Sequence, residues 1–236
     1  MQLFYSKIIY SIGQIFEIED QENQHLVKVL RKNVGDEIFV TNGKGGLFSA
    51  RINSLEKKKS ILEVFKLIKS EEKKHNFSLA MAPTKNIARI EWFIEKSVEI
   101  GIHEIFLFTS QNSERRIVKV DRLQTKALSA MKQSLKINLP IVHEVQKFAK
   151  FLEQVSESFE EKYIAYCEED DNNFIKELKI NNKTLVLIGP EGGFTREEVI
   201  LAKQFGFKTV SLGSSRLRTE TAALFACSIF NAMNQS

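Results

Sequence analysis

The chain has 236 residues, 43% of them hydrophobic and 27% charged, which is typical of a globular protein with one or two domains that each bury a core. Its formal net charge of +4 is too small to establish a nucleic-acid partner by itself, and no apolar run is long enough for a membrane span. Because Cys167 and Cys227 lack metal-ligand or CxxC spacing and the histidines are scattered, we expect a reducing, cytoplasmic setting and no bound metal.

Residues 1–70 are predicted to form a small β domain. Four short segments are enriched in β-branched or aromatic residues and alternate in part between apolar and polar positions. These segments are 15–18, 37–40, 47–52 and 61–64. The Asn42-Gly43 pair lies between the second and third and predicts a hairpin, because the favoured turn needs positive φ at both central positions. Between the first two segments, 23–32 is predicted to be a short helix with basic residues on its polar side.

The rest of the chain, 75–236, alternates predicted strands with predicted helices. The polar stretch 69–75 is the predicted linker. The predicted strands are 77–82, 105–108, 141–145 and 163–167, and the predicted helices are 87–98, 121–136 and 147–158. Such alternation predicts an α/β domain with a mostly parallel sheet and helices on both faces. No GxGxxG follows a strand and no P-loop occurs, which disfavours a dinucleotide-binding fold.

Charge is unevenly distributed along this second part. Residues 112–150 hold nine Lys/Arg against three Asp/Glu, whereas residues 153–178 hold nine Asp/Glu against two Lys/Arg. This distribution predicts one basic and one acidic face. Solvated helix faces would give the same pattern, so charge alone leaves both interpretations open.

Two apolar segments near the C-terminus each end at a glycine and lead into a helix. The first, 185–188, continues into the loop 189–194, and the second, 209–212, continues into the loop 213–218. Ligands of open α/β sheets bind outside the carboxyl ends of the strands, where glycines allow close approach to the backbone. One such loop alone would favour an ordinary strand-to-helix turn, but two in succession shift the balance toward a binding site.

The helices that follow these loops have clear start signals. Thr195 and Glu198 have the spacing of a capping box, and Thr219 opens the second helix. Residues 221–230 are small and apolar on nearly every side, so this last helix needs burial all round. Packing within one domain and packing against a second copy of the chain would both supply it.

The two loops, GPEGGFTREE and LGSSRLRTETAA, resemble the signature loops of the RsmE family, the small-subunit (16S) ribosomal RNA uracil-N3 methyltransferases of the SPOUT superfamily. HLVKVLRKNVGDEIFVTNGKGG resembles the family's N-terminal PUA-like β-barrel, and the likeness covers nearly the whole chain. The resemblance implies an RNA-binding barrel at 1–70 and a SPOUT methyltransferase domain with a C-terminal trefoil knot at 75–236. It further implies S-adenosylmethionine as cofactor, ribosomal RNA or the assembled small subunit as substrate, and a homodimer.

The resemblance also implies roles for individual residues. The cofactor site would comprise Leu187, Ile188, Gly189, Glu191, Gly192, Gly193, Leu212, Gly213, Leu217, Arg218 and Thr221. Uracil N3 must lose its proton before it attacks a methyl group, and charge then develops on the flanking carbonyl oxygens. Arg218 is the candidate to stabilise that charge. Glu220 is a candidate for the base, and the base is otherwise left unassigned. A mutual salt bridge, or a helix-dipole role for Glu220, are the alternatives.

Basic side chains are the candidates for contact with RNA phosphates. They are Arg31, Lys32, Arg115, Arg116, Lys119, Lys132 and Lys136. The chain departs from the family pattern at Lys132, where the family has an acidic residue, at Lys136, which replaces an arginine, and at Ser215, where the arginine is displaced to Arg216. Another RNA target, or a non-catalytic RNA-binding role in ribosome assembly, therefore stay open as alternatives.

Overall fold

The computed structural model describes residues 2–9, 11–71, 76–166, 173–179 and 181–234, and its contacts divide the chain into two units. One unit comprises Met1–Lys73 with Leu128–Leu139, and the other comprises Lys74–Ala127 with Pro140–Ser236. The segment Leu128–Leu139 was not part of the predicted N-terminal domain, and the domain roles given to 1–70 and 75–236 stay predictions. Cys167, His75 and the linker residues 72–75 lie outside the described residues.

The first unit contains one five-stranded sheet. Its strands are β1 (Leu3–Tyr5), β2 (Ile15–Glu19), β3 (Glu37–Thr41), β4 (Gly46–Leu55) and β5 (Lys59–Ser70). The order is β1-β3-β4-β5-β2, with antiparallel pairs throughout except the parallel β1–β3 pair. The four predicted strands and the hairpin after β3 are confirmed. With three residues, β1 is too short to reveal its alternation in the sequence.

All five strands share one core. Buried side chains from each strand, together with Leu26 from the helical segment, form a single cluster. These strand residues include Phe4, Phe16, Val40, Ile52 and Leu62. Because side chains alternate across a strand, these buried residues belong to one face of the sheet, and the core lies on that face.

The predicted helix 23–32 begins and ends earlier than expected. Helix α1 spans Asp20–Gln24 and continues as a π-helical turn over His25–Val29. Arg31 then has φ of +50°, which lies in the left-handed region and ends the helical segment. The apolar spacing of Leu26 and Leu30 suggested a regular helix, but the wider π turn does not follow that period.

The segment after helix α3 (Val120–Gln133) packs onto the β3–β4 loop of the same unit. The Gly45 N–H donates to the Ile137 carbonyl oxygen at 2.9 Å, and the Leu139 N–H donates to that of Gly43 at 2.8 Å. Ile137 is buried against Leu3 and Leu47. This contact is a tertiary one that strand periodicity could not predict.

The second unit contains a six-stranded sheet in which every pair is parallel. Its strands are β6 (Phe77–Met81), β7 (Glu104–Thr109), β8 (Ile141–Lys147), β9 (Glu161–Ala165), β10 (Thr184–Ile188) and β11 (Lys208–Val210). The order is β11-β9-β10-β6-β7-β8. The predicted α/β class and parallel sheet are therefore confirmed.

Helices cover both faces of this sheet, as predicted. Besides the first turns of α3, they are α2 (Ile87–Ile100), α4 (Phe148–Val155), α5 (Phe174–Glu177), α6 (Arg196–Gln204) and α7 (Thr219–Asn234). On one face α4 and α6 pack into an aromatic core that includes Phe108 and Phe151. On the other, α7 packs on β6 and β10 and against α2, with the Phe77 and Phe230 rings 4.9 Å apart. The trefoil knot stays a prediction.

Within the described ranges, no helix combines the length and apolar character that crossing a membrane requires.

Two glycines of the first unit allow a matched test of the β3–β4 loop. Gly35 and Gly45 both have φ of +92°, but a Cβ at Gly35 would meet no atom within 4 Å, whereas one at Gly45 would lie 2.0 Å from the Glu71 carbonyl oxygen. We expect Gly35→Ala to cost about 1 kcal/mol from backbone strain alone. We expect Gly45→Ala to cost about 1–3 kcal/mol more, because the neighbouring backbone must move. Urea unfolding midpoints measure both losses, and equal losses would contradict the close approach.

Candidate functional site

A cavity of about 750 Å³ opens in the second unit at the carboxyl ends of β9, β10 and β11. Its wall is made of the residues that follow these three strands and of the first turn of α7. The lining residues are Ala165, Tyr166, Ile188, Gly189, Pro190, Glu191, Gly192, Gly193, Phe194, Ser211, Leu212, Gly213, Ser214, Ser215, Arg216, Leu217, Thr219 and Ala222. The two glycine-containing loops thus meet at one site, as the sequence predicted.

The loop after β10 is held by a turn and by a buried ring. The Gly193 N–H donates to the Pro190 carbonyl oxygen at 2.8 Å, and Gly193 has φ of +72°. Phe194 is buried, with its ring centroid 5.9 Å from that of Phe108. A Cβ at Gly189 would lie 3.0 Å from the Phe194 ring, so the glycine leaves room for this anchor.

The loop after β11 is tied to the first loop. The Thr219 hydroxyl donates to the Gly189 carbonyl oxygen at 3.1 Å. Gly213 has φ of +119°, and its N–H donates to the Ser211 hydroxyl oxygen at 3.2 Å. The two walls of the cavity are therefore hydrogen-bonded to each other at the start of α7.

The predicted capping box at the start of α6 is confirmed. Thr195 Oγ1 accepts the Glu198 N–H at 3.3 Å, and Glu198 Oε2 accepts the Thr195 N–H at 3.0 Å. The other carboxylate oxygen of Glu198 accepts the Gln111 N–H at 2.8 Å. This cap therefore also binds the loop that follows β7.

Most of the predicted cofactor-binding residues line the cavity. They are Ile188, Gly189, Glu191, Gly192, Gly193, Leu212, Gly213 and Leu217. Leu187 does not, because strand alternation directs it into the aromatic core on one face of the sheet. Arg218 and Thr221 are exposed and are not among the lining residues, because Thr219 and Ala222 form the face of α7 that lines the cavity.

Several lining residues were missed by the sequence analysis. Tyr166 follows β9, and the rule that ligands bind at carboxyl ends of strands could have indicated it. Ser215 and Arg216 both line the cavity, so the displaced arginine still lies at the site.

Glu191 also binds the neighbouring loop, since its Oε1 accepts the Lys85 N–H at 3.1 Å.

Within the part of the chain that the structure describes, Glu220 pairs with Arg89 of α2 and forms no bond to Arg218. The Glu220 side chain is only 9% exposed, and its Oε1 lies 3.6 Å from Arg89 Nε. Its Oε2 is buried and has no hydrogen-bond partner in the part of the chain that the structure describes. Arg218 is exposed, one residue before Thr219. At the start of α7, the Arg218 guanidinium is therefore exposed to solvent and the Glu220 carboxylate is buried.

In the second unit, the predicted RNA-binding residues differ in how they are placed. The Arg115 guanidinium donates to the carbonyl oxygens of Thr84, at 3.1 Å, and Lys85, at 2.6 Å. Its Nε and Nη2 thus hold the loop after β6. Arg116 and Lys119 are exposed and follow in the same segment.

In the first unit, Arg31 and Lys136 are exposed. Lys32 lies 4.0 Å from Asp36, and Lys132 is paired with Glu22. The Lys132 pairing gives a local partner to the lysine that departs from the family pattern. With Lys32 and Lys132 both close to carboxylates, Arg31 and Lys136 are the charges of this group that are more accessible to RNA phosphates.

Cys227 of α7 is fully buried, and burial raises the pKa of its thiol to about 12, so it stays protonated at neutral pH. The described residues contain no group of three or more His, Cys, Asp or Glu placed to hold a metal ion.

Two family models match the chain. The model described as an RNA methyltransferase domain matches residues 71–231, and the model described as an RNA methyltransferase PUA domain matches residues 18–65. The first match contains the whole cavity. The second contains β3 and β4, the end of β2 and the first part of β5.

Individual relatives and solved structures are similar along nearly their full length. The ribosomal RNA small subunit methyltransferase E of Mesomycoplasma hyopneumoniae is 32% identical, over 90% of this chain and 96% of that protein. The Bacillus subtilis protein of the same name is 30% identical, over 90% and 88%. The Neisseria gonorrhoeae enzyme of this name, solved bound to S-adenosyl methionine, superposes with a TM-score of 0.87 at 28% identity, over 99% and 98%. A probable rRNA-methyltransferase from Porphyromonas gingivalis gives 0.88 at 36% identity, over 99% and 98%.

Proposed function

The chain belongs to the ribosomal RNA small subunit methyltransferase E family, and from this we propose that it transfers a methyl group from S-adenosylmethionine to N3 of a uridine in small-subunit ribosomal RNA. The observation that carries this proposal is the cavity between the two C-terminal loops. These loops are the segments in which the sequence resembles the family most specifically.

The residues of the cavity fit this cofactor. A volume of about 750 Å³ is in the range of small-molecule sites. Ile188, Leu212 and Leu217 offer apolar surface for a flat adenine ring, and the glycines of both loops let a ligand approach backbone N–H and C=O groups. Tyr166 adds an aromatic ring at the wall. When bound, the cofactor supplies a methyl group already activated by its sulfonium.

The protein's own task is to position the uracil and to remove the N3 proton. We assign Arg218 to the negative charge that develops on the uracil carbonyl oxygens, because its guanidinium is exposed beside the cavity wall. Glu220 is the candidate for proton removal because its Oε2 has no hydrogen-bond partner among the described residues, while Arg89 holds Oε1. Glu220 is not a lining residue of the cavity, so this role requires its side chain to turn toward the bound uracil. Arg218 directly precedes α7 and Glu220 lies in its first turn, which lines the cavity through Thr219 and Ala222.

Exposed basic residues would contact the RNA backbone. The reaction would take place in the cytoplasm, where ribosomes are assembled. Arg116 and Lys119 in the second unit and Arg31 and Lys136 in the first are the candidates, since phosphate contacts need charges that remain accessible. Removal of one such charge would weaken RNA binding and lower its salt dependence, without changing cofactor affinity.

A homodimer formed through α2 and α7 is part of the proposal. Trp92 and Phe225 lie on these two helices and are 43% and 42% exposed. Large aromatic side chains are enriched at protein interfaces, where they contribute much of the binding free energy. A second copy of the chain would bury them.

Methyl transfer to RNA tests the function directly. We expect labelled methyl from S-adenosylmethionine to appear as 3-methyluridine when unmodified small subunits or naked ribosomal RNA are supplied. Gly192→Val is the control for a disrupted cofactor loop and should give no label. Label in another nucleoside would keep the cofactor and overturn the acceptor. Absence of both transfer and cofactor binding would favour the RNA-binding role in ribosome assembly.

The roles of the two catalytic candidates can be separated from cofactor binding. We expect Arg218→Ala and Glu220→Gln each to lower kcat by about 100-fold or more while the Kd for S-adenosylmethionine changes little. Arg216→Ala is the matched arginine variant in the same loop, and its loss of kcat should be smaller. Steady-state methylation with saturating S-adenosylmethionine and RNA measures kcat for each variant. A larger loss for Arg216→Ala would transfer the charge-stabilising role to Arg216.

The dimer interface has a matched control on another helix. Phe225→Glu places a charge on α7, so we expect a monomer in sedimentation experiments at micromolar concentration. Ile200 of α6 is 58% exposed, and Ile200→Glu should leave the dimer intact. A monomeric unaltered protein would contradict the dimer, and a dimeric Phe225→Glu variant would exclude this interface.

A further inference from the structure

The loop that follows β7, residues 110–116, is hydrogen-bonded to the loop that follows β10. We propose that Asn112 in this loop is a positioning residue, whose side-chain amide holds the Gly192–Gly193 turn in the shape that binds the cofactor. The inference rests on the proposed function of the cavity, which Gly192 and Gly193 line.

The contact uses both hydrogens of one amide group. Asn112 Nδ2 lies 3.2 Å from the Gly192 carbonyl oxygen and 3.1 Å from that of Gly193. A side-chain amide has two N–H donors, so it can bind two carbonyls at once. Successive carbonyls that converge on one donor group restrict the backbone angles of the turn between them.

The same contact explains why position 192 is a glycine. Gly192 does not have the positive φ that marks Gly193 and Gly213, so backbone strain gives no reason for it. A Cβ at Gly192 would instead lie 3.1 Å from Asn112 Cβ and 3.4 Å from Asn112 Cγ. The missing side chain leaves the space that Asn112 occupies.

Asn112 is itself held on both sides. The preceding residue, Gln111, donates its N–H to Glu198 Oε1 at 2.8 Å. The Ser113 hydroxyl oxygen accepts the Ser110 N–H at 2.9 Å, and the Ser113 N–H donates to the Ser110 carbonyl at 3.2 Å. These bonds fix the loop, so its amide is presented to the turn in a defined place.

A second connection runs through the loop after β6. Arg115 donates to the Lys85 carbonyl oxygen, and the Lys85 N–H donates to Glu191 Oε1. The loops after β6, β7 and β10 therefore form a closed circuit of hydrogen bonds. Asn112 is the member of the circuit that acts on the turn which lines the cavity, and it does so without being a lining residue.

A preformed turn lowers the conformational entropy that binding must remove. Without the amide, the glycine-containing turn would sample more conformations, and only a fraction of them would fit the ligand. The net free energy of two hydrogen bonds at an exposed position corresponds to a change in the Kd for the cofactor of about tenfold. The effect should fall on cofactor binding and leave the chemical step unchanged once the cofactor is saturating.

The test is calorimetric titration of the full-length protein with S-adenosylmethionine, combined with steady-state methylation. We expect Asn112→Ala to raise the Kd and KM for S-adenosylmethionine about tenfold, with kcat, the KM for RNA and the cofactor-free melting temperature nearly unchanged. Asn112→Asp has the same shape but turns acceptors toward two carbonyls, so its loss of affinity should be larger. Gln111→Ala is the matched control, since it retains the N–H that binds Glu198, and it should bind as the unaltered protein does.

The outcomes separate this inference from the proposed function. Failure of the unaltered protein to bind S-adenosylmethionine would overturn both. Normal binding by the unaltered protein and by both Asn112 variants would overturn the positioning role alone. A loss of affinity in the isosteric Asp variant that comes with a clear fall in its cofactor-free melting temperature would also overturn it. The residue would then act on general stability.

Discussion

Parallel pairing of β9, β10 and β11 brings three ends of strands to one edge of the sheet, and the site depends on this arrangement. Parallel strands need crossovers, so each strand at this edge must be followed by a loop and a helix. β10 is buried along its length between β9 and β6, which gives its loop a fixed starting point. Glycines then shape the loops, and Phe194 and Thr219 secure them.

Local signals in the sequence predicted the parts of the site that depend on neighbouring residues. The capping box at Thr195 needs only the residue three positions later. The two glycine loops could be recognised because each follows an apolar strand. These features depend on residues that are close to one another in the sequence, so they can be predicted from the sequence alone.

Other features depend on which elements meet in space, and periodicity does not contain that information. The pairing of Glu220 with Arg89 joins the start of α7 to α2, across 131 positions of sequence. Arg115 was predicted from its charge to contact phosphate, yet its guanidinium binds two backbone carbonyls of another loop. A charge count records that a cation is present, but only the fold determines whether its donors are already used.

The attachment of residues 128–139 to the first unit has a consequence for how this chain can be divided. A fragment ending near residue 70 would lack Ile137, which is buried against Leu3 and Leu47, and the carbonyl that receives the Gly45 N–H. The β unit is therefore completed by a stretch of chain that is synthesised some sixty residues later, on the order of several seconds at ribosomal rates. Until that stretch emerges, Leu3 and Leu47 lack the Ile137 side chain that packs against them, and the Gly45 N–H lacks its carbonyl acceptor.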